Sequence, residues 1–215
     1  MKRNWGRIYA LDKRDKKYLI QVKESKRTSK VWKDDYWTGN QGNTPLCVGF
    51  SFSHWLSSSP ILQWLPPEGI YRLAQTFDEW ETESYEGTSV RGGAKALQLL
   101  GYISEYNWAF EVDTLINTVL EIGPVVVGTN WYSKMNTPNQ DGLVTVKGQV
   151  LGGHAYLISG VNKKTELCRI RNSWGLSWSL QGRAFISFSD MDRLIKEEGE
   201  VCLGIESNVN KPVSQ

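Results

Sequence analysis

Apolar residues fall on two different spacings along this chain. In its first half they recur every three or four positions, the period of a helix with one face turned inward. CVGFSFSHWL, from Cys47 to about Leu56, has that spacing and stops at Ser57-Ser58-Ser59-Pro60, where proline forbids easy continuation. Further helices are expected from Glu68 to Trp80, from about Val90 to Leu100 ending at Gly101, and from Val112 to Ile122 ending at Gly123. Beyond Gly123 the texture changes. Pro124–Thr129, Leu143–Val146, His154–Val161, Leu167–Arg171 and Arg183–Phe188 are short, rich in β-branched or aromatic residues, and separated by Gly, Asn, Asp and Lys, so strands are expected there.

Helices followed by strands predict an α+β fold with two lobes, one helical and one built on an antiparallel, barrel-like sheet, rather than a doubly wound parallel sheet. The cleft between the lobes is the natural place for a site. No internal repeat or low-complexity stretch interrupts the chain, and Pro66-Pro67 reads as a loop between helices. Residues 1–215 are therefore expected to form a single domain, with a basic segment over about 1–33, a mainly helical lobe over about 34–122 and a mainly β lobe over about 123–215.

Composition narrows the function classes. With 215 residues, 40% of them hydrophobic, the chain can bury a core. No apolar run approaches the roughly 20 residues needed to span a bilayer, so no membrane partner is expected. The start, MKRNWGRIYALDKRDKK, is basic but has no apolar h-region behind it, so it does not read as a secretory signal and the cytoplasm is the expected location. Three cysteines, Cys47, Cys168 and Cys202, are too few for a disulfide scaffold; free thiols are expected, with Cys168 and Cys202 the one conceivable pair.

The net charge is only +2, yet residues 1–33 hold 12 Lys/Arg against 3 Asp/Glu, leaving 13 against 20 in the remainder. Such an arm can bind nucleic acid or another acidic surface, or lie across its own acidic body. No aromatic-interleaved motif accompanies the charge, which favours the second reading and makes nucleic acid an unlikely partner. Two histidines and three scattered cysteines lack metal-ligand spacing, and no phosphate-cradling loop is present, so no metal or other cofactor is expected.

A general base of histidine type must be His54 or His154. His54 lies two helical turns beyond Cys47, roughly 10 Å along the axis, too far to bond its thiol. His154 follows Gly152-Gly153 and opens the apolar run AYLISGV, where small residues would let a substrate approach. Taken alone it reads equally as an ordinary strand histidine. Asn172, in the next strand, supplies an amide oxygen able to fix the imidazole tautomer. Cys47, at the start of a helix, would have its thiolate favoured by unsatisfied amides and the helix dipole, although a lone cysteine on an apolar helix is often simply a small core residue.

Three blocks carry a resemblance. QGNTPLCVGFS at Gln41–Ser51, GGHAYLISG at Gly152–Gly160 and NSWGLSW at Asn172–Trp178 resemble the active-site blocks of the papain-like cysteine peptidases, in the same order, and look most like a bacterial or phage-like branch. The resemblance implies a peptidase acting on protein or peptide substrates, with Cys47 as nucleophile, His154 as its proton partner, Asn172 as orienter and Gln41 as oxyanion donor. It further implies that Trp174 shields the His154–Asn172 bond, that Trp178 lines the leaving-group side, and that Ser89, Val90 and Gly153 border the substrate. GPVVVG at Gly123–Gly128 and YEGTSVRGGAKALQLLGY at Tyr85–Tyr102 add support for the fold.

The departures are specific. Thr44-Pro45-Leu46-Cys47-Val48 stands where the family usually has CGSCW, so the usual disulfide cannot form, and the paired glycines that hold a substrate backbone have no clear equivalent near Thr88-Ser89-Val90. About 40 residues precede Gln41, fewer than the inhibitory propeptide of lysosomal relatives, so control by zymogen cleavage is not expected. Two alternatives remain open at this level: a catalytically inactive scaffold that binds a protein partner, and a thiol acyltransferase or isopeptidase.

Overall fold

The computed structural model describes residues 5–10, 12–34, 37–79 and 85–207. Its helices are α1 (Cys47–Leu56), α2 (Pro67–Gln75), α3 (Val90–Leu99), α4 (Val112–Glu121) and α5 (Phe188–Lys196). Its strands are β1 (Ser29–Val31), β2 (Ile103–Ala109), β3 (Val125–Tyr132), β4 (Val150–Asn162), β5 (Leu167–Arg171), β6 (Arg183–Ser187) and β7 (Glu200–Glu206). They form one antiparallel sheet in the order β2-β7-β3-β4-β5-β6, with β1 paired to β4. The α+β expectation holds, and the sheet stays open rather than closing into a barrel.

The middle strands are buried on both faces, and the two-residue period of a strand divides their side chains between two cores. Val126 of β3, Ala155 and Leu157 of β4, and Cys202 of β7 pack with Cys47, Val48, Phe52 and Leu56 of α1 and with α3. Val125, Val127 and Trp131, Tyr156 and Ile158, and Val201 and Leu203 face the other way, toward Leu115 and Val119 of α4 and Met191 and Leu194 of α5. All ten residues of α1 are buried, which explains why this helix is apolar nearly all round. Its polar members are satisfied locally: Ser51 Oγ donates to the Cys47 carbonyl and Ser53 Oγ to Leu65 O.

Helices α1, α3 and α4 and strands β5 and β6 appear within a residue of their expected bounds, and β3 and β4 run longer than expected. The second helix ends at Gln75; the expected end, Trp80, lies outside the described residues. Beyond Gln75 the chain turns so that the Asp78 carboxylate accepts from Thr88 Oγ1 (2.5 Å) and Ser89 Oγ (2.6 Å), tying this loop to the start of α3. Leu143–Val146 is not a strand but makes a single bridge from Leu143 to Phe185. Val144 N donates to Phe185 O at 2.8 Å, and at Val146 α5 takes over, since Arg193 donates to the Val146 carbonyl at 2.9 Å and Asp190 accepts from its N–H at 3.5 Å. Phe188 opens α5 rather than ending a strand, because Ser187 Oγ caps the helix by accepting from Asp190 N.

The basic arm lies on the body. Lys30 pairs with Val161 within the β1–β4 ladder, Arg27 meets Glu121 at 3.3 Å, and Arg7 meets Glu200 at 2.8 Å. Among the described residues no helix is long and apolar enough to cross a membrane, and no group of three His, Cys, Asp or Glu could hold a metal ion.

Candidate active site

Cys47 is the first residue of α1, preceded by Leu46 with no side-chain cap, so its sulfur stands at a helix start whose first amides have no partner within the helix. The thiol is hydrogen-bonded by the backbone of Ala155, the residue after His154, and by Gly6 and Val48. The residue after His154 thus lies directly against the sulfur. His154 Nε2 donates to Asn172 Oδ1 at 2.8 Å, an oxygen that also accepts from Ser173 N. With Nε2 donating to the amide oxygen, Nδ1 is the ring nitrogen that carries the lone pair.

Four aromatic rings enclose the imidazole. Trp174 lies 4.9 Å away at 33°, Trp131 4.9 Å at 78°, Trp5 5.8 Å at 84° and Tyr156 6.1 Å at 33°. His154 and Asn172 are both fully buried, so water is kept from the bond between them. Trp178 packs on Trp174 rather than on the histidine, and its Nε1 donates to Asn136 O.

Gln41 is brought to the same place by Ser173. Gln41 N donates to the Ser173 carbonyl at 2.8 Å and Ser173 Oγ donates to Gln41 Oε1 at 2.5 Å, which fixes which end of the amide is the donor. One of its two N–H groups goes to Thr44 O at 2.7 Å. Ser173 therefore couples the histidine's partner to Gln41, a role that reading the sequence residue by residue did not reveal. His54 is held elsewhere: its Nε2 donates to Thr38 O at 2.8 Å, and burial keeps its pKa well below the usual histidine range.

The side chains of Ser89 and Val90 serve the fold. Ser89 caps α3 by accepting from Gly92 N, and Val90 is fully buried at the helix start. It is the backbone of Thr88, one residue earlier, that presents an edge to the site. Thr88 N donates to Gly6 O at 2.8 Å and Thr88 O accepts from Ile8 N at 3.0 Å, a parallel pairing centred on Arg7. On the other side Gly153 O accepts from Arg7 N at 3.1 Å. A short strand from the chain's own amino-terminal region thus crosses the site, bonded on both sides, with Gly6 over the sulfur.

That strand changes the chemistry. The helix start alone would favour a thiolate, but Cys47 is fully buried beneath Gly6, and burial pushes its thiol up to about 11 against the pull of the surrounding amides and Arg7. The arm reaches the site over so short a length that nothing in its sequence announced it. Cys168 and Cys202 are buried free thiols on β5 and β7.

An open antiparallel sheet backed by a buried helix that starts at a cysteine, with histidine on one strand and asparagine just after the next, is the papain-like fold. Comparison with solved structures gives the same class. Over 96% of its length the chain matches 97% of xylellain, a cysteine protease from Xylella fastidiosa, with a TM-score of 0.79 and 17% identity. It matches all of the bromelain protease from Ananas comosus, solved with the inhibitor E64, over 84% of its own length, with a TM-score of 0.64 and 12% identity. Among curated proteins it resembles mouse cathepsin O, 25% identical over 177 residues, which cover 80% of this chain and 48% of that protein. The chain thus spans about half the length of this relative. No family model matches it.

Proposed function

We propose that this chain is a thiol peptidase in which Cys47 attacks a peptide carbonyl. The carrying observation is the 2.8 Å bond from His154 Nε2 to Asn172 Oδ1 beside a cysteine at the start of a buried helix. In the open site His154 Nδ1 takes the thiol proton, and the thiolate adds to the carbonyl carbon. The second N–H of Gln41 Nε2 and the Cys47 backbone N–H receive the developing oxyanion. His154 then protonates the leaving amine, and water, deprotonated by the same imidazole, releases the acyl group from sulfur. Asn172 holds the ring throughout, and Trp174 and Trp131 keep water from that bond.

Cys47→Ala should abolish turnover of a casein or fluorogenic peptide substrate, and E-64 should add once, at Cys47, as read by intact mass. If Cys47→Ala kept full activity, the mechanism would be wrong. Adduct formation without any peptide cleavage would favour acyl transfer, which a competing amine detects as a new amide product.

A further inference from the structure

The edge that Thr88 presents to the site is held from behind by side chains of α2 and the loop after it. The Asp78 carboxylate accepts from Thr88 Oγ1 at 2.5 Å through Oδ2, and from Ser89 Oγ at 2.6 Å and Ser89 N at 3.3 Å through Oδ1. The residue before Thr88 is fixed by α2 itself. Gly87 N donates to Tyr71 Oη at 2.9 Å, and Gln75 Nε2 lies 3.1 Å from Gly87 O, 3.3 Å from Tyr85 O and 3.0 Å from Tyr71 Oη. The Tyr85 hydroxyl completes the clasp, 3.0 Å from Gln75 O and 3.2 Å from Asp78 Oδ2.

Several features separate this clasp from an ordinary loop anchor. Helix α3 is already capped by Ser89 through Gly92 N, so the bond from Thr88 to the carboxylate adds position rather than a helix start. Space is kept for it: a Cβ at Gly92 would lie 2.9 Å from Asp78 Oδ1 and 2.9 Å from Thr88 Oγ1. On the site side, a Cβ at Gly87 would lie 2.7 Å from Gly6 O, so the backbone there is bare enough for an extended chain to pass in contact. Between these glycines Thr88 turns both its N–H and its carbonyl to one passing strand. All three cysteines are free, so no disulfide staples this loop. A carboxylate bonded by two hydroxyls does so instead, with hydrogen bonds roughly twice as strong as neutral ones.

We infer that Asp78 is a positioning residue of the substrate site, whose carboxylate fixes Thr88 so that the Thr88 N–H and carbonyl pair with the backbone of an extended peptide. This rests on the peptidase reading above. Asp78 acts through Thr88 and touches no reacting atom, so its loss weakens binding of the peptide backbone, raising KM and sparing kcat. The covering strand uses the same edge through Gly6 O and Ile8 N, so the same loss also loosens the cover over Cys47.

The test uses the full chain in two backgrounds. The first is Gly6→Ala, whose added methyl would stand 1.9 Å from the Pro45 carbonyl oxygen and so lifts the covering strand. Fluorogenic peptides are compared there with versions N-methylated at each of the three residues before the scissile bond. N-methylation removes one backbone donor, so at one position it should lower kcat/KM by at least about fivefold, the worth of one hydrogen bond. In Gly6→Ala/Asp78→Ala that penalty should shrink to under about twofold, with the loss on the unmodified peptide carried by KM. A merely structural role would slow both peptides alike and keep the penalty. Thr88→Val, which removes only the hydroxyl facing Asp78, should shrink the penalty in the same direction and serves if Asp78→Ala does not fold. In the native background, Asp78→Ala should raise Cys47 labelling by iodoacetamide at least about fivefold, with Cys168 and Cys202 silent. A penalty undiminished in both variants, a penalty absent at all three positions in Gly6→Ala, or unchanged labelling overturns this inference and leaves the peptidase reading intact. If no peptide is cleaved and Cys47 takes up no E-64 in any of these chains, both fall.

Discussion

Gly6 makes the closest contact of the strand that covers Cys47. A Cβ at this position would stand 1.9 Å from the Pro45 carbonyl oxygen and 2.4 Å from its carbon, against ordinary contact from 3.4 Å. Both atoms are backbone in the loop leading into α1, so no side chain can swing away, and Gly6→Ala must lift the strand. Lifting it gives up three backbone hydrogen bonds, Thr88 N to Gly6 O, Ile8 N to Thr88 O and Arg7 N to Gly153 O. At about 1 kcal/mol net for each, the closed arrangement loses about 3 kcal/mol, or roughly a 100-fold shift toward the open site. The assay is the rate of Cys47 alkylation by iodoacetamide at pH 8, followed by intact mass and peptide mapping. Gly6→Ala should react on the order of 100-fold faster than the native chain. Cys168 and Cys202 serve as internal controls, since both are buried in the core and label only if the protein unfolds. Equal Cys47 rates in the two proteins, with both control cysteines silent, would refute the reasoning.

The same coverage sets a pH dependence. With the closed-state thiol pushed up to about 11 by burial, only about 0.001 of it is ionised at pH 8, so native labelling should climb about tenfold per pH unit to pH 10. In Gly6→Ala the rise should begin at lower pH; superimposable profiles would contradict the assigned cause. In the open variant, Gln41→Ala should lower kcat by about 100-fold through loss of one oxyanion donor, with KM little changed. Asn172→Ala should cost about 100-fold by releasing the imidazole, and a loss confined to KM would count against both roles. Away from the cleft, Asp34 accepts from Arg183 at 2.9 Å and from Arg169 at 3.5 Å, beside the fully buried Arg171. Asp34→Ala leaves three guanidinium groups without that carboxylate and should lower unfolding stability by about 3 kcal/mol or more in urea titration; a change under 1 kcal/mol would show the cluster is held by its other bonds.

What the sequence made legible was whatever had a local cause. The first helix was readable because an apolar run ended at a proline, and Cys47 fell at its start. Histidine on β4 and asparagine just after β5 were readable because each opens or follows a short apolar run between polar turns. The missed elements lack such a cause. β7, EVCLGIE, shows no alternation because it is buried on both faces for most of its length, and β2, ISEYNWA, carries a register shift after Ile103. Helix α5 begins inside a run that reads as strand, and only the Ser187 cap separates them. Glu200 has no signature at all, since its partner Arg7 lies 193 positions away.

The charge asymmetry of the arm was visible, but not which of its charges acts. Arg27 meets the half-exposed Glu121 at the surface, where an ion pair contributes little. Among the arm's described basic residues, only Arg7 goes into the interior. Because the arm is tied down further along by β1 on β4, the strand over Cys47 competes as part of the same molecule, at an effective concentration that free peptides reach only in the millimolar range. Whatever enters the site must displace three backbone bonds and the Arg7–Glu200 pair. The covering strand therefore restrains access to the cysteine, and Gly6→Ala, which must lift that strand, removes the restraint.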